Sequence, residues 1–461
     1  MGVFEQLRSQ LRDKKPETFI PAGMRHYVRT NGVERAQIHL RVEADGSGVL
    51  LVNASRVYHL NPSACAMAYA YLEDQSAEKA AKMLSNAFQV SRQAVAYDIQ
   101  RFFAYMDEIS RPDGACPICD LELDTIPPFT KRPSAPYRMD LAITYRCNNA
   151  CTHCYNQTPR RRQELDTEAW FRVLDQLWQV GIPHIVFTGG EPTLRSDLPQ
   201  LISHAQKNGQ ITGINTNGRR LADAAYLDSL VNAGLDHVQI TLESRDETIH
   251  DQMVAHMGAW RQTVAGIRNA LGTRLFVMTN TTMLRTNRDT LETTLDFLAE
   301  LGVPTVGMNA LIYSGNGLTV GSGLPESELP RLLVIAREKT EKHGQRLIWY
   351  TPTQYCHFDP IQLGLGVKGC TAALYNMCIE PDGEVLPCQS YYQSLGNITS
   401  LPWRQIWEHE LAVSLRERKG LDAACANCAA LQECGGGCPL AKHACQSCHP
   451  ETISALASSP W

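Results

Sequence analysis

Cys147-Asn148-Asn149-Ala150-Cys151-Thr152-His153-Cys154 places three thiols in one short loop, spaced C-x3-C-x2-C, directly after the apolar run Met139 to Thr144. Three thiolates this close can hold three corners of a cubic [4Fe–4S] cluster, for which a full set is four. The fourth iron is then open to a small molecule. Structural zinc fits less well, because it wants four nearby ligands, usually from paired C-x2-C knuckles. Of sixteen cysteines in the chain, only Cys65 and Cys356 stand well apart from the others. Clustered thiols in a long chain without an export signal read as metal ligands rather than disulfides.

Around this loop, apolar runs alternate with helical periodicity. Strands are predicted at 139–144, 184–188, 211–216, 237–242, 275–282 and 305–311. Between them lie helices such as Asp166 to Val180, with Trp170, Val173, Leu174, Leu177 and Trp178 on one face. Six βα units imply an α/β core, a partial (β/α)6 barrel over 137–349, with its site at the carboxyl ends of the strands. The second strand ends in Phe187-Thr188-Gly189-Gly190-Glu191-Pro192. Later strand ends carry Asn215 and Asn217, Thr241 and Glu243, Asn280, and Asn309. Such polar residues face the site or cap the next helix.

Together the cysteine loop and the Gly-Gly-Glu-Pro segment resemble the signature of the radical S-adenosylmethionine (radical SAM) family. The resemblance implies that the open iron chelates SAM and that a reduced cluster cleaves it to a radical that takes hydrogen from a substrate carbon. It further implies that Gly189, Gly190 and Glu191 meet the methionine end of SAM, glycine being suited to close backbone approach. Asn215, Asn217, Thr241, Glu243, Asn280 and Asn309 would contact the ribose, the adenine or the substrate. His153 stands where the family usually has an aromatic residue and would stack on the adenine.

Beyond about residue 350 the rhythm stops and cysteines accumulate: Cys370, Cys378, Cys388, the run Cys425-x2-Cys428-x5-Cys434-x3-Cys438, then Cys445 and Cys448. With Gly383-x4-Cys388 and Gly435-Gly436-Gly437-Cys438-Pro439, this segment (350–461) resembles the SPASM extension of radical SAM enzymes that modify peptides and proteins. The resemblance implies two auxiliary [4Fe–4S] clusters, three in all. Cys370, Cys378, Cys388 and Cys438 would hold the first. Cys425, Cys428, Cys434 and either Cys445 or Cys448 would hold the second, Cys448 having the better gap. A zinc ribbon is the competing reading of the C-x2-C pair. A fully ligated cluster has no iron for SAM, so electron transfer during net substrate oxidation is the implied role. Cys116 and Cys119, in a linker over 111–136, read as a half metal site, a redox pair or bystanders in a turn. Cys65 and Cys356 read as small buried apolar residues.

Residues 1–20 form a polar lead-in. Ile38 to Val42 alternates, Asp45-Gly46-Ser47-Gly48 is a turn, and Val49 to Val52 is apolar, which predicts a hairpin. Helices follow over Pro62 to Leu72, Ser76 to Phe88, and from a cap at Val90-Ser91 to about Ile109. Residues 21–110 thus read as a winged-helix-like domain. Tyr58 to Ala64 and the following helices resemble the PqqD-like fold, which binds a leader peptide as an added strand. A DNA-binding winged helix competes. However, Lys79, Lys82, Arg92 and Arg101 are opposed by Glu73, Asp74, Glu78, Asp98, Asp107 and Glu108, and DNA demands clustered positive charge. A structural cap on the core is a third reading.

The chain has 461 residues, 44 % of them apolar and 20 % charged, with a formal net charge of −5. That balance argues against broad nucleic-acid or membrane-surface partners. No apolar run approaches the ~20 residues that span a bilayer. The start lacks an apolar signal core, so a cytoplasmic location is expected. The combined expectation is a radical SAM oxidoreductase that binds a ribosomally made precursor peptide by its leader. It would draw electrons from a donor such as flavodoxin or ferredoxin and oxidatively crosslink the peptide. Alternatives are a maturase of a protein side chain or a tetrapyrrole, and a non-catalytic iron–sulfur peptide-binding protein.

Overall fold

The computed structural model describes residues 20–31, 34–53, 56–110, 133–156, 163–421 and 423–441. Cys116, Cys119, Cys445 and Cys448 lie outside them. The chain forms two compact units, one comprising residues 1–130 with Gln176–Pro183 and the other Lys131–Asp175 with His184–Trp461. Among the described residues, no helix is long and apolar enough to cross a membrane.

In the first unit, alternation buries Ile38, Leu40 and Val42 against Leu50 and Val52. These belong to β2 (Glu34–Val42) and β3 (Gly48–Val52), the expected hairpin. The structure widens it to four antiparallel strands by adding β1 (Gly23–Asn31) and β4 (Arg56–Leu60) at the two edges. β1 escapes a sequence reading because its edge position leaves no buried face to pattern: every residue from Met24 to Thr30 is at least partly exposed. Helices α1 (Pro62–Leu72), α2 (Ala77–Phe88) and α3 (Arg92–Ile109) follow. Asn61, Ser76 and Ser91 cap them, each side chain accepting from a backbone N–H of the first turn. Leu72, Leu84, Ile99, Met106 and Ile109 close the core over the sheet, with Cys65 buried among them as expected.

The second unit is built on one nine-stranded sheet. All six expected strands are present: β5 (Arg138–Thr144), β6 (His184–Gly189), β7 (Ile211–Thr216), β8 (His237–Thr241), β9 (Phe276–Thr282) and β10 (Thr305–Asn309). They are parallel, joined by helices, and extended by a seventh, β11 (Arg346–Trp349). On the other side of β5 the sheet continues into β12 (Asn376–Ile379), also parallel, and its hairpin partner β13 (Val385–Leu386). The cysteine-rich segment therefore begins inside the same sheet as the core.

This sheet is curled. Arg138 of β5 and Tyr350, just past β11, act on one another electrostatically, although six strand spacings separate β5 from β11 in the sheet order. At ~4.8 Å per spacing, a flat sheet would hold them about 29 Å apart. Curling gives an inner face, lined by alternate residues of each strand.

Candidate active site

The cysteine loop leaves β5 at its carboxyl end and is strapped from several directions. Ala150 and Thr152 donate backbone N–H groups to the carbonyls of Val254 and Met253, at 3.0 and 2.9 Å. The Asn316 N–H donates to the Cys154 carbonyl at 2.8 Å, and its side chain to the Cys151 carbonyl at 3.2 Å. Asn217 donates to the Asn148 side chain at 2.7 Å, and Arg219 holds the Asn148 carbonyl and the Asn149 side chain. The Asn149 N–H points at the Cys147 sulfur, 3.4 Å away.

The thiols so positioned resist ionisation. Cys147 is accessible from the open side of the site, yet its surroundings desolvate it enough to push it up to about 11. Cys151 and Cys154 are raised by burial too, and a charge on Cys154 would further oppose ionisation of the other two. Such a set holds thiolates only around a cationic centre, since coordination deprotonates a thiol outright. Among the described residues, no three His, Cys, Asp or Glu side chains converge as ligands of a single ion do. A cubane asks for something different, one thiolate per iron at separate corners. The donor set therefore fits a cluster.

Gly189 and Gly190 are required by this loop. A Cβ on Gly189 would lie 2.1 Å from the Thr144 carbonyl oxygen, and one on Gly190 would lie 2.4 Å from that of Arg146. The pair thus serves the packing of two strand ends, a use that motif reading alone assigns to ligand approach. Glu191, 1 % exposed, is the hub beside them. Its Oε1 accepts from the Thr193 N–H and hydroxyl and from the Thr216 hydroxyl, and its Oε2 accepts from the Asn217 N–H at 2.8 Å. Burial raises its pKa, with these donors pulling the other way. Oε2 keeps a free lone pair for a ligand ammonium.

At the next strand ends, Asn215 and Thr241 are half-buried, and their side chains have no protein partner among the described residues. Asn217 is occupied within the protein. Asn280 donates to Asn309 at 2.8 Å, but its own Oδ1 is buried without a partner. His153 bonds through Nε2 to Glu243 Oε1 at 3.0 Å, and its buried Nδ1 has no protein partner. Glu243 Oε2 takes the Thr282 N–H, and the Glu243 N–H donates to His250 Nδ1. Sequence reading finds His153 and Glu243 separately. Their pairing, across 90 residues, follows only from the fold. The orphaned atoms around the loop suit a polar ligand.

The auxiliary cysteines of the first expected set come together. Cys370, Cys388 and Cys438 act electrostatically on one another, and Cys378 couples to Cys388. Burial raises all four, Cys388 to about 11. Of the second set, Cys428 donates its N–H to the Cys425 carbonyl in a tight turn, and the Cys434 sulfur accepts the Tyr355 N–H at 3.4 Å. Gly435, Gly436 and Gly437 all have positive φ, which lets the chain reverse between Cys434 and Cys438. Cys356 is half-buried rather than buried.

Comparison with known proteins agrees with this geometry. The radical SAM superfamily profile matches residues 141–298, and that of the SPASM iron–sulfur cluster-binding domain matches residues 370–429. The Fe-coproporphyrin III synthase of Methanosarcina barkeri is 30 % identical over 324 residues, spanning 64 % of this chain and 81 % of that protein. The chain belongs to the radical SAM superfamily. A second relative, the PqqA peptide cyclase of Ruegeria pomeroyi, is 28 % identical over 315 residues, 66 % of this chain and 82 % of that protein. Streptococcus suis SuiB, solved with its precursor peptide SuiA, superposes with a TM-score of 0.67 at 15 % identity, over 89 % of this chain and 96 % of that one. At that identity the likeness establishes the fold. Radical SAM and SPASM domains imply [4Fe–4S] clusters and SAM, and the donor sets described above fit both.

Proposed function

We propose that the chain is a radical SAM peptide maturase that oxidatively modifies a ribosomally made precursor peptide. The observation that carries this reading is the pair of desolvated thiol sets in the second unit: a loop of three, and a group of four that includes Cys378 of β12. Cys147, Cys151 and Cys154 would hold the SAM-binding cluster, leaving one iron open. Cys370, Cys378, Cys388 and Cys438 would hold a first auxiliary cluster. Cys425, Cys428 and Cys434, with Cys445 or Cys448, would hold a second, giving three in all. Bound there, the clusters and SAM would supply one-electron reduction, hydrogen abstraction and an exit for the substrate's electron.

The protein's own part is positioning and exclusion. Glu191 Oε2 would take the SAM ammonium beside the glycine pair, while Asn215, Thr241, Asn280 and His153 offer polar atoms to its adenosine. Glu243 fixes the His153 ring. The curled sheet walls the reacting carbon away from bulk water, which would otherwise quench a radical. In the first unit, β1 is a sheet edge nine residues long, and a leader peptide would pair along it as an added strand. A flavodoxin- or ferredoxin-like donor would supply electrons.

The PqqA peptide cyclase and SuiB similarities support a peptide substrate. The Methanosarcina barkeri similarity supports a second reading, a tetrapyrrole substrate. Anaerobic turnover with short candidate precursor peptides, in parallel with a tetrapyrrole assayed for formation of iron coproporphyrin III, separates them. The peptide reading requires the peptide to lose hydrogen mass in a SAM-dependent reaction. Turnover of the tetrapyrrole alone would replace it.

A further inference from the structure

The first half of the cysteine loop is gripped by one short segment after β7, Asn217-Gly218-Arg219. Asn217 donates to the Asn148 side chain at 2.7 Å and gives its own N–H to Glu191 Oε2 at 2.8 Å. Two residues on, the Arg219 guanidinium reaches the same loop. Its Nη1 donates to the Asn148 carbonyl and to Asn149 Oδ1, the second contact at 2.8 Å. Its Nε donates to Gln262 Oε1 at 2.6 Å, and its Nη2 lies 3.1 Å from His256 Nε2. His256 Nδ1 lies 2.9 Å from the Met257 carbonyl and must donate to it. Nε2 is then the acceptor for Arg219, an arrangement that requires a neutral ring.

Every acceptor that Arg219 meets among the described residues is therefore neutral. A guanidinium stays protonated in proteins, so Arg219 brings a full positive charge to the loop with no carboxylate against it. Arg146, the other arginine beside the loop, differs, because it faces Glu164 at 4.0 Å. Two buried carboxylates belong to the same network: Glu191 beneath Asn217, and Glu243, 3.0 Å from His153. Arg219 also bears on a hydrogen bond to sulfur. It anchors Asn149 by the side chain, and the Asn149 N–H points at the Cys147 sulfur, 3.4 Å away. Net charge and hydrogen bonds to sulfur are two of the levers by which a protein sets the potential of an iron–sulfur centre. One side chain works both.

We propose that Arg219 is a positioning residue that raises the reduction potential of the cluster on Cys147, Cys151 and Cys154, bringing it within reach of a low-potential protein donor. Reduction adds one electron to that cluster, and a fixed cation nearby stabilises the reduced form more than the oxidised one. The grip on Asn148 and Asn149 keeps an N–H on the Cys147 sulfur, which favours the reduced form in the same direction. The inference rests on the assignment of a cluster to this loop.

The test is anaerobic potentiometry of the reconstituted full-length enzyme with dithionite, read by electron paramagnetic resonance. The signal that changes when SAM is added belongs to the loop cluster, since a fully ligated cluster offers SAM no iron. Arg219→Gln should keep its iron. At the potential that half-reduces the wild-type cluster, however, its reduced-to-oxidised ratio should be about tenfold lower, a shift of ~59 mV for one electron. Arg219→Lys, which keeps the charge but not the fork, should fall between the two. Asn149→Asp sets a carboxylate against the guanidinium without removing it. That change should lower the potential in the same direction, and it covers the case in which Arg219→Gln takes up too little iron. An unmoved midpoint in both Arg219→Gln and Asn149→Asp overturns the proposal. Loss of the loop iron in both also overturns it, leaving Arg219 a clamp on the loop and nothing more. A wild type with no SAM-responsive signal sinks the cluster assignment itself, whereas such a signal with unmoved midpoints sinks this inference alone.

Discussion

At Glu191, four hydrogen bonds converge on one buried carboxylate from Thr193, Thr216 and Asn217. Glu191→Gln would place an amide N–H2 against these donors and leave at least one unsatisfied, at a cost of about 1–3 kcal/mol. We predict a SAM affinity at least about tenfold weaker, measured by equilibrium dialysis of labelled SAM. Unchanged affinity would remove Glu191 from the site. His237 provides a pH-dependent counterpart. Burial, with the Arg138 charge adding to it, pushes its imidazole down to about 3 from an ordinary 6.5. Between these values only the unfolded chain takes the proton. The contribution of His237 to stability is therefore complete above pH 6.5 and lost progressively as pH falls toward 3. His237→Gln should flatten the fall in thermal midpoint below pH 6.5, and an unaltered slope would contradict the assignment. Residues of this kind divide by legibility. Glu191 and the cysteines stand out in sequence because their spacing is local. The His153–Glu243 pair depends on a contact between distant parts of the chain, which no local pattern encodes.

Among the elements, the decisive one is the cysteine loop, and Gly315 tests how tightly it is held. A Cβ there would lie 2.6–2.7 Å from the carbonyl oxygens of Cys154, Tyr155 and Asn156. Gly315→Ala must push the loop away, and its φ of +53° disfavours any L side chain. The expected outcome is loss of about four irons per chain with the auxiliary iron retained. Full iron content would show that the loop tolerates displacement. The six parallel strands were legible because buried parallel strands read as continuous apolar runs between amphipathic helices. The short elements were not: β11 and β12 have four residues each, too few for a period to emerge. β1 leaves no pattern for a different reason, its lack of a buried face.

At the scale of the whole molecule, the proposed division gives peptide binding to the first unit and cluster chemistry to the second. Deleting residues 1–110 should weaken precursor-peptide binding while sparing SAM cleavage without substrate, as read by peptide titration and 5′-deoxyadenosine assay. Undiminished peptide binding would end the leader-recognition role. The central claim, three cubane clusters of which one activates SAM, is tested most directly by anaerobic reconstitution, with iron and sulfide counted and 5′-deoxyadenosine assayed under strong reductant. The account predicts about twelve irons per chain and 5′-deoxyadenosine release. Zinc in place of iron, or a fully loaded chain that does not cleave SAM, would contradict it.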